Sequence, residues 1–146
     1  MVREIRENEL DELLSLYEIL GEQYQSEQDF IIQKVWKAIS RDPNYHIIVK
    51  IVDDKIVSTC TIIILYNLGN ALRPYALLDK LVTLDDYRNN GYAIECLDYA
   101  QRIANLEGCH KIVVDVDEKS VTRVFEKDGF VETDNSRLTC WLQKNK

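Results

Sequence analysis

Apolar residues recur along this chain with two periods, and the places where one gives way to the other mark out its elements. Residues 2–6 alternate as a short strand does. Leu10, Leu13, Leu14, Tyr17 and Leu20 then fall at helical spacing, with Asn8 as the predicted cap and Gly21 as the stop. A second helical pattern follows Ser26 through Phe30, Ile31, Val35, Trp36 and Ile39. Arg41-Asp42-Pro43-Asn44 ends it, because proline cannot continue a helix and constrains the residue before it. Residues 45–52 and 56–66, rich in Ile, Val and Thr, flank Asp53-Asp54-Lys55 and predict a hairpin. A turn over 67–70 follows, and Pro74 opens another strand whose apolar run covers 76–84.

That run passes through a polar loop into a helix with apolar positions at Ala93, Ile94, Leu97, Ala100 and Ala104, ended by Gly108. Residues 110–116 are nearly continuously apolar, which predicts a strand buried on both faces. A polar turn over 117–120 leads to a short helix through Val121, Val124 and Phe125, closed by Asp128-Gly129. Residues 130–132 and 138–142 predict a closing strand pair with Asp134-Asn135 in its turn. The order of elements over 75–131 places a parallel strand pair around the central helix, and everything before it is antiparallel. The predicted fold class is therefore α/β (α+β): a mixed, mostly antiparallel sheet of about six to seven strands flanked by about four helices. Neither a second βαβ unit nor Gly-x-Gly-x-x-Gly occurs, which argues against a dinucleotide fold, and the absence of Gly-Lys-Ser/Thr argues against a P-loop.

The 146 residues predict one domain over 1–146, able to bury about two thirds of its unfolded surface. A net charge of -7 with no basic stripe lowers the expectation of a nucleic-acid partner. No apolar run approaches the roughly 20 residues that span a bilayer, and the N-terminus lacks the apolar core of a signal peptide. The expected address is cytoplasmic, with no membrane partner. Cys60, Cys96, Cys109 and Cys140 are scattered without a C-x-x-C pair, and His46 and His110 lie far apart, so no metal site is expected. The cysteines read as buried small hydrophobes.

Within this pattern, Arg88-Asn89-Asn90-Gly91-Tyr92-Ala93 stands between a strand and a helix. Such a loop supplies backbone N–H groups, Gly91 permits close approach, and the helix N-terminus adds partial positive charge. Together these make a phosphate cradle.

The same loop is similar to the Arg/Gln-x-x-Gly-x-Gly/Ala motif of the GNAT (Gcn5-related) N-acetyltransferases. Phe125-Glu126-Lys127-Asp128-Gly129-Phe130 resembles that family's later Tyr-Glu-Lys-x-Gly-Phe signature, at the family's usual separation. The resemblance implies the acyl-CoA N-acyltransferase fold, acetyl-CoA as co-substrate and acetyl transfer to a primary amine. Arg88, Asn89, Asn90, Gly91, Tyr92 and Ala93 would then hold the coenzyme pyrophosphate. Leu81, Val82 and Thr83 would pair their backbone with the pantetheine arm, and a main-chain donor would stabilise the thioester oxyanion. The amine would lie against the two N-terminal helices and the 67–73 loop.

Asp79 matches a position where the family often carries an acid acting through water, which makes it the candidate base. It is flanked by apolar residues, and strand alternation places it with Leu77, Leu81 and Thr83 on one side. The competing reading pairs it with a cation or exposes it. Phe125 stands where the family commonly has a proton-donating tyrosine, which leaves Tyr66, Tyr75 and Tyr92 as substitutes, Tyr92 also reading as an anchor of the helix start. Glu118 stands where a coenzyme-contacting asparagine is frequent, and reads equally as a solvated acid at a helix start. Asp85 and Asp86 are expected to face out of the turn. Residues 108–119 are locally similar to the glucosamine 6-phosphate N-acetyltransferase branch, which points to a small amine, an amino sugar among them. A regulatory coenzyme-binding module with little catalysis, and a peptide or protein N-acetyltransferase, are the alternatives; a homodimer is also open.

Overall fold

Residues 56–62 are buried without a break, so the strand that carries them must have structure packed on both faces. A computed structural model of the chain describes residues 1–114. The expectations for 115–146, which include Glu118, Phe125 and the closing strand pair, lie outside the described residues.

Among the described residues, five strands form one sheet in the order β1 (Val2–Glu4), β2 (Tyr45–Val52), β3 (Lys55–Leu65), β4 (Tyr75–Thr83) and β5 (Ile112–Val114). All neighbours are antiparallel except β4 and β5, which run parallel as the intervening helix requires. The β2–β3 turn closes on Asp53 and Asp54, both at positive φ (51° and 61°), the two-residue geometry whose twist matches a hairpin. β5 is half-buried rather than fully buried along its described length.

The helices α1 (Leu10–Ile19) and α2 (Asp29–Arg41) cover one face of the sheet, and α3 (Tyr92–Leu106) covers the other. Leu13, Leu16 and Trp36 meet Ile47, Val49 and Val82 on the first face. On the second, Cys96, Leu97, Ala100 and Ala104 meet Ile48, Cys60, Ile62 and Leu78. The short side chains of α3 let its backbone lie close to the sheet, and each fully buried Leu or Ile contributes about 1.5–3 kcal/mol.

Two sequence expectations are corrected here. Asn8 lies inside a 3₁₀ turn (Glu7–Glu9) rather than capping α1. The Glu9 carboxylate reaches back to the Arg6 N–H (2.8 Å) and is gripped by both terminal nitrogens of Arg3 (2.8 Å each), so a charged network replaces the predicted cap. In α2 the sheet-facing residues are Ile32, Trp36 and Ile39, whereas Phe30, Ile31 and Val35 are exposed. Trp36 fixes this rotation, because its indole N–H donates to the Glu7 carbonyl (3.1 Å) as its ring enters the core.

Candidate active site

Gly91 sets the geometry of the loop between β4 and α3. Its φ of 78° suits glycine, and as the residue before α3 it supplies no side-chain cap. The N–H groups of the first helical turn, at Tyr92, Ala93 and Ile94, have no partner inside the helix and form the positive end of its dipole. Among the described residues, a Cβ placed on Gly91 would meet no atom within 4 Å, so the space beside Gly91 is open. The Asn90 carboxamide donates to the carbonyls of Tyr87 (3.0 Å) and Arg88 (3.2 Å), which turns those acceptors toward the loop's own interior. Asn89 takes the left-handed conformation that this tight path needs (φ 66°).

The cations around the loop are paired with acids. Asp85 and Asp86 are exposed, as expected, and the Arg88 guanidinium sits 3.1 Å from the Asp85 carboxylate. Tyr92 stacks under the Lys50 ammonium (5.1 Å to the ring centroid), which in turn binds Glu95 at 3.0 Å. Through its ring Tyr92 thus anchors the helix start. Ala93 is half-buried beside it.

The strand entering the loop carries a β-bulge. Thr59 pairs with Val82 and Thr61 with Asp79, so β4 holds one residue more than β3 between these pairs. The extra residue is accommodated at Lys80, whose φ of 55° is left-handed, and the Asp79 carboxylate accepts the Lys80 N–H at 2.8 Å. This corrects the alternation expected along β4. Leu81 packs with the α3 face, while Val82 and Leu84 pack with the α1–α2 face, so Asp79 and Leu81 do not share a side. Asp79 is exposed despite its apolar neighbours. Thr83 shares a 2.8 Å hydrogen bond with Ser58, whose hydroxyl also lies 3.1 Å from the Val82 carbonyl as donor.

Opposite Asp79 is a hydroxyl that the sequence reading counted only as part of a helical stripe. The Tyr17 hydroxyl, at the end of α1, lies 3.4 Å from the Thr61 hydroxyl, and Thr61 is the register partner of Asp79. Burial pushes the Tyr17 phenol well above the usual tyrosine range; the hydrogen bond to Thr61 opposes this and the nearby Asp79 charge adds to it. Tyr45 is shifted the same way by burial, then by Asp79. The available signal was a tyrosine at an apolar position, since a buried phenol needs a partner. The other candidates lie elsewhere: Tyr66 is exposed, and Tyr75 packs edge-on to His110 with Lys111 over its ring.

Among the described residues no group of His, Cys, Asp and Glu could hold a metal ion, and no helix is long and apolar enough to cross a membrane. Cys60, Cys96 and Cys109 are buried free thiols, as expected. Two clefts lie away from the loop: about 140 Å³ between β2 and α2, and about 200 Å³ behind the end of α3. Neither offers a phosphate-binding helix N-terminus.

The sequence model of the acetyltransferase (GNAT) family matches residues 13–130. No curated protein matches the sequence. Among solved structures, an Agrobacterium tumefaciens str. C58 protein classed as an acetyltransferase is 27% identical, with a TM-score of 0.85 and 99% of both chains covered. A transcriptional regulator from Bacillus halodurans C-125 is 21% identical (TM-score 0.86; 97% of this chain, 99% of that one). The glucosamine-6-phosphate N-acetyltransferase of Arabidopsis thaliana is 15% identical (TM-score 0.83; 98% of each chain). The last two identities establish a shared fold.

Proposed function

The chain belongs to the GNAT family of acetyltransferases, and from that premise we propose that it transfers the acetyl group of acetyl-CoA to a primary amine of a small molecule. The observation that carries this reading is the open, uncapped start of α3 behind Gly91, one short loop beyond the bulged strand β4.

In this reading the amides of Tyr92 and Ala93, with Gly91, Asn90 and Asn89, take the pyrophosphate, and Arg88 adds charge from the rim. Helix N-termini bind such groups through N–H donors and the dipole together. The backbone of Leu81, Val82 and Thr83 takes the pantetheine arm as a strand would, and a main-chain donor of this strand stabilises the charge that develops on the thioester oxygen. No metal is needed, since the thiol is a good leaving group. The amine must lose a proton to attack, and Asp79 serves as its acceptor through water. Exposure leaves this carboxylate reachable in the absence of substrate.

An amino sugar is the first acceptor to try, supported by the local similarity of residues 108–119 to the glucosamine 6-phosphate branch. Two tests apply. Millimolar acetyl-CoA raises the melting temperature by several degrees, as a ligand about a hundredfold above its Kd stabilises by about 2.7 kcal/mol, and Gly91→Trp abolishes the rise. Absence of any rise in the wild type would sink the reading. Thiol release is then followed across amino sugars, polyamines, amino acids and peptides. A second reading, a coenzyme-binding regulatory module, is favoured by Phe125 at the usual tyrosine position; saturable turnover with any of these amines rejects it. Turnover confined to peptides would identify a peptide N-acetyltransferase instead.

A further inference from the structure

On the acceptor side of the bulge three oxygen-bearing side chains come from three separate elements. Thr61 of β3 and Asp79 of β4 are direct register partners in an antiparallel pair. Their Cβ atoms therefore lie about 4.5–5.5 Å apart on one face. Tyr17 of α1 places its hydroxyl 3.4 Å from that of Thr61, with the Asp79 carboxylate near enough to add to the upward shift that burial gives the phenol. Thr61 is 1% exposed, so its hydroxyl has few alternatives to the phenol. Asp79 spends one carboxylate oxygen on the Lys80 N–H and keeps the other available.

We propose that Tyr17 is the specificity-determining residue that holds the acceptor amine beside Asp79. This inference rests on the acetyl-transfer reading above. A primary amine arrives as an ammonium with three N–H donors. The free Asp79 oxygen accepts one, and the Tyr17 phenolic oxygen accepts a second while its own hydrogen points to Thr61. The third is left to solvent until the proton is removed. The phenol stays protonated throughout, so it acts by hydrogen bonding and takes no part in proton transfer. The ligand class that fits is a primary ammonium; tertiary amines, with one N–H, cannot satisfy both acceptors.

Initial rates of thiol release are measured for wild type and Tyr17→Phe, with glucosamine 6-phosphate, spermidine and L-lysine as acceptors. The expected result is a roughly tenfold fall in kcat/KM for the amine, the size of a hydrogen bond to a charged group. KM for acetyl-CoA stays within about twofold, while the melting temperature falls by a few degrees because the buried Thr61 hydroxyl loses its partner. Thr61→Val, which removes the phenol's partner and keeps the volume, lowers the same kcat/KM without changing KM for acetyl-CoA. A fall of less than about threefold in both variants, or a matching rise in KM for acetyl-CoA, overturns the proposal while leaving the transferase reading intact. Wild-type enzyme that turns over none of these amines overturns the transferase reading itself.

Discussion

The Asp79 carboxylate accepts the N–H of Lys80 at 2.8 Å, and Lys80 holds a left-handed backbone with φ of 55°. An acid at the candidate reaction centre thus also closes the bulge that turns the strand beneath it. The side chain of Lys80 adds only an exposed ion pair to Glu22, 3.2 Å long.

Substitutions at Lys80 separate backbone from side chain. Lys80→Val destabilises by about 1–2 kcal/mol, because a β-branched residue is poorly accommodated at positive φ. Lys80→Gly stays within about 0.5 kcal/mol of wild type, since exposed ion pairs contribute little. Urea denaturation of the two variants measures the difference; equal costs would show that the bulge conformation does not limit stability.

Gly91 has open space above it and a positive φ, and these two properties fail under different substitutions. Gly91→Ala costs about 1 kcal/mol from backbone strain and leaves most of the acetyl-CoA-induced thermal shift in place. Gly91→Trp fills the space and removes the shift. Differential scanning fluorimetry with and without the coenzyme reads both, and loss of the shift in the alanine variant would mean that the backbone path, rather than open space, governs binding.

Glu9 makes stability depend on acid pH. Its two hydrogen bonds from Arg3, aided by the Arg6 N–H, hold its carboxyl below the usual range against the opposing effect of burial. A depressed folded pKa gives stability that is fully present above the ordinary glutamate value of about 4.3. That stability is lost as pH falls through the folded value. Glu9→Gln therefore destabilises by about 1–2 kcal/mol at pH 7, and the gap to wild type closes below about pH 4. A gap that persists unchanged at pH 3 would assign the effect to packing.

The buried thiols resist modification. Desolvation pushes Cys60 far above the ordinary range and Cys96 up to about 12, where a hydrogen bond with Ser58 offsets part of the shift. With the thiolate as the nucleophile, both residues stay unalkylated by iodoacetamide at pH 8 in the native protein and react once it is unfolded. Peptide mass spectrometry distinguishes them from Cys109, which is less deeply shifted.

Local chemistry made much of this molecule legible. Pro43 and Gly108 mark helix ends, Asp53-Asp54 a hairpin turn, and Gly91 the start of α3; each acts through its own φ preference or its effect on the next residue. The parallel β4–β5 pair followed from the helix between them. The phosphate-type loop was visible for the same reason, being contiguous in the chain.

Three features were decided only by the tertiary structure. The face of α2 depends on where Trp36 finds the Glu7 carbonyl, so Phe30, Ile31 and Val35 came to lie exposed despite their helical spacing. The bulge at Lys80 depends on how β4 registers against β3, and one extra residue moved every later side chain to the opposite face. The meeting of Tyr17 with Thr61 joins positions 44 residues apart in sequence. The sequence by itself determined what each segment becomes, because propensity, capping and turn geometry act over a few neighbouring residues. Which side chains stand together at the acceptor side was settled by register and helix rotation, which no single segment contains.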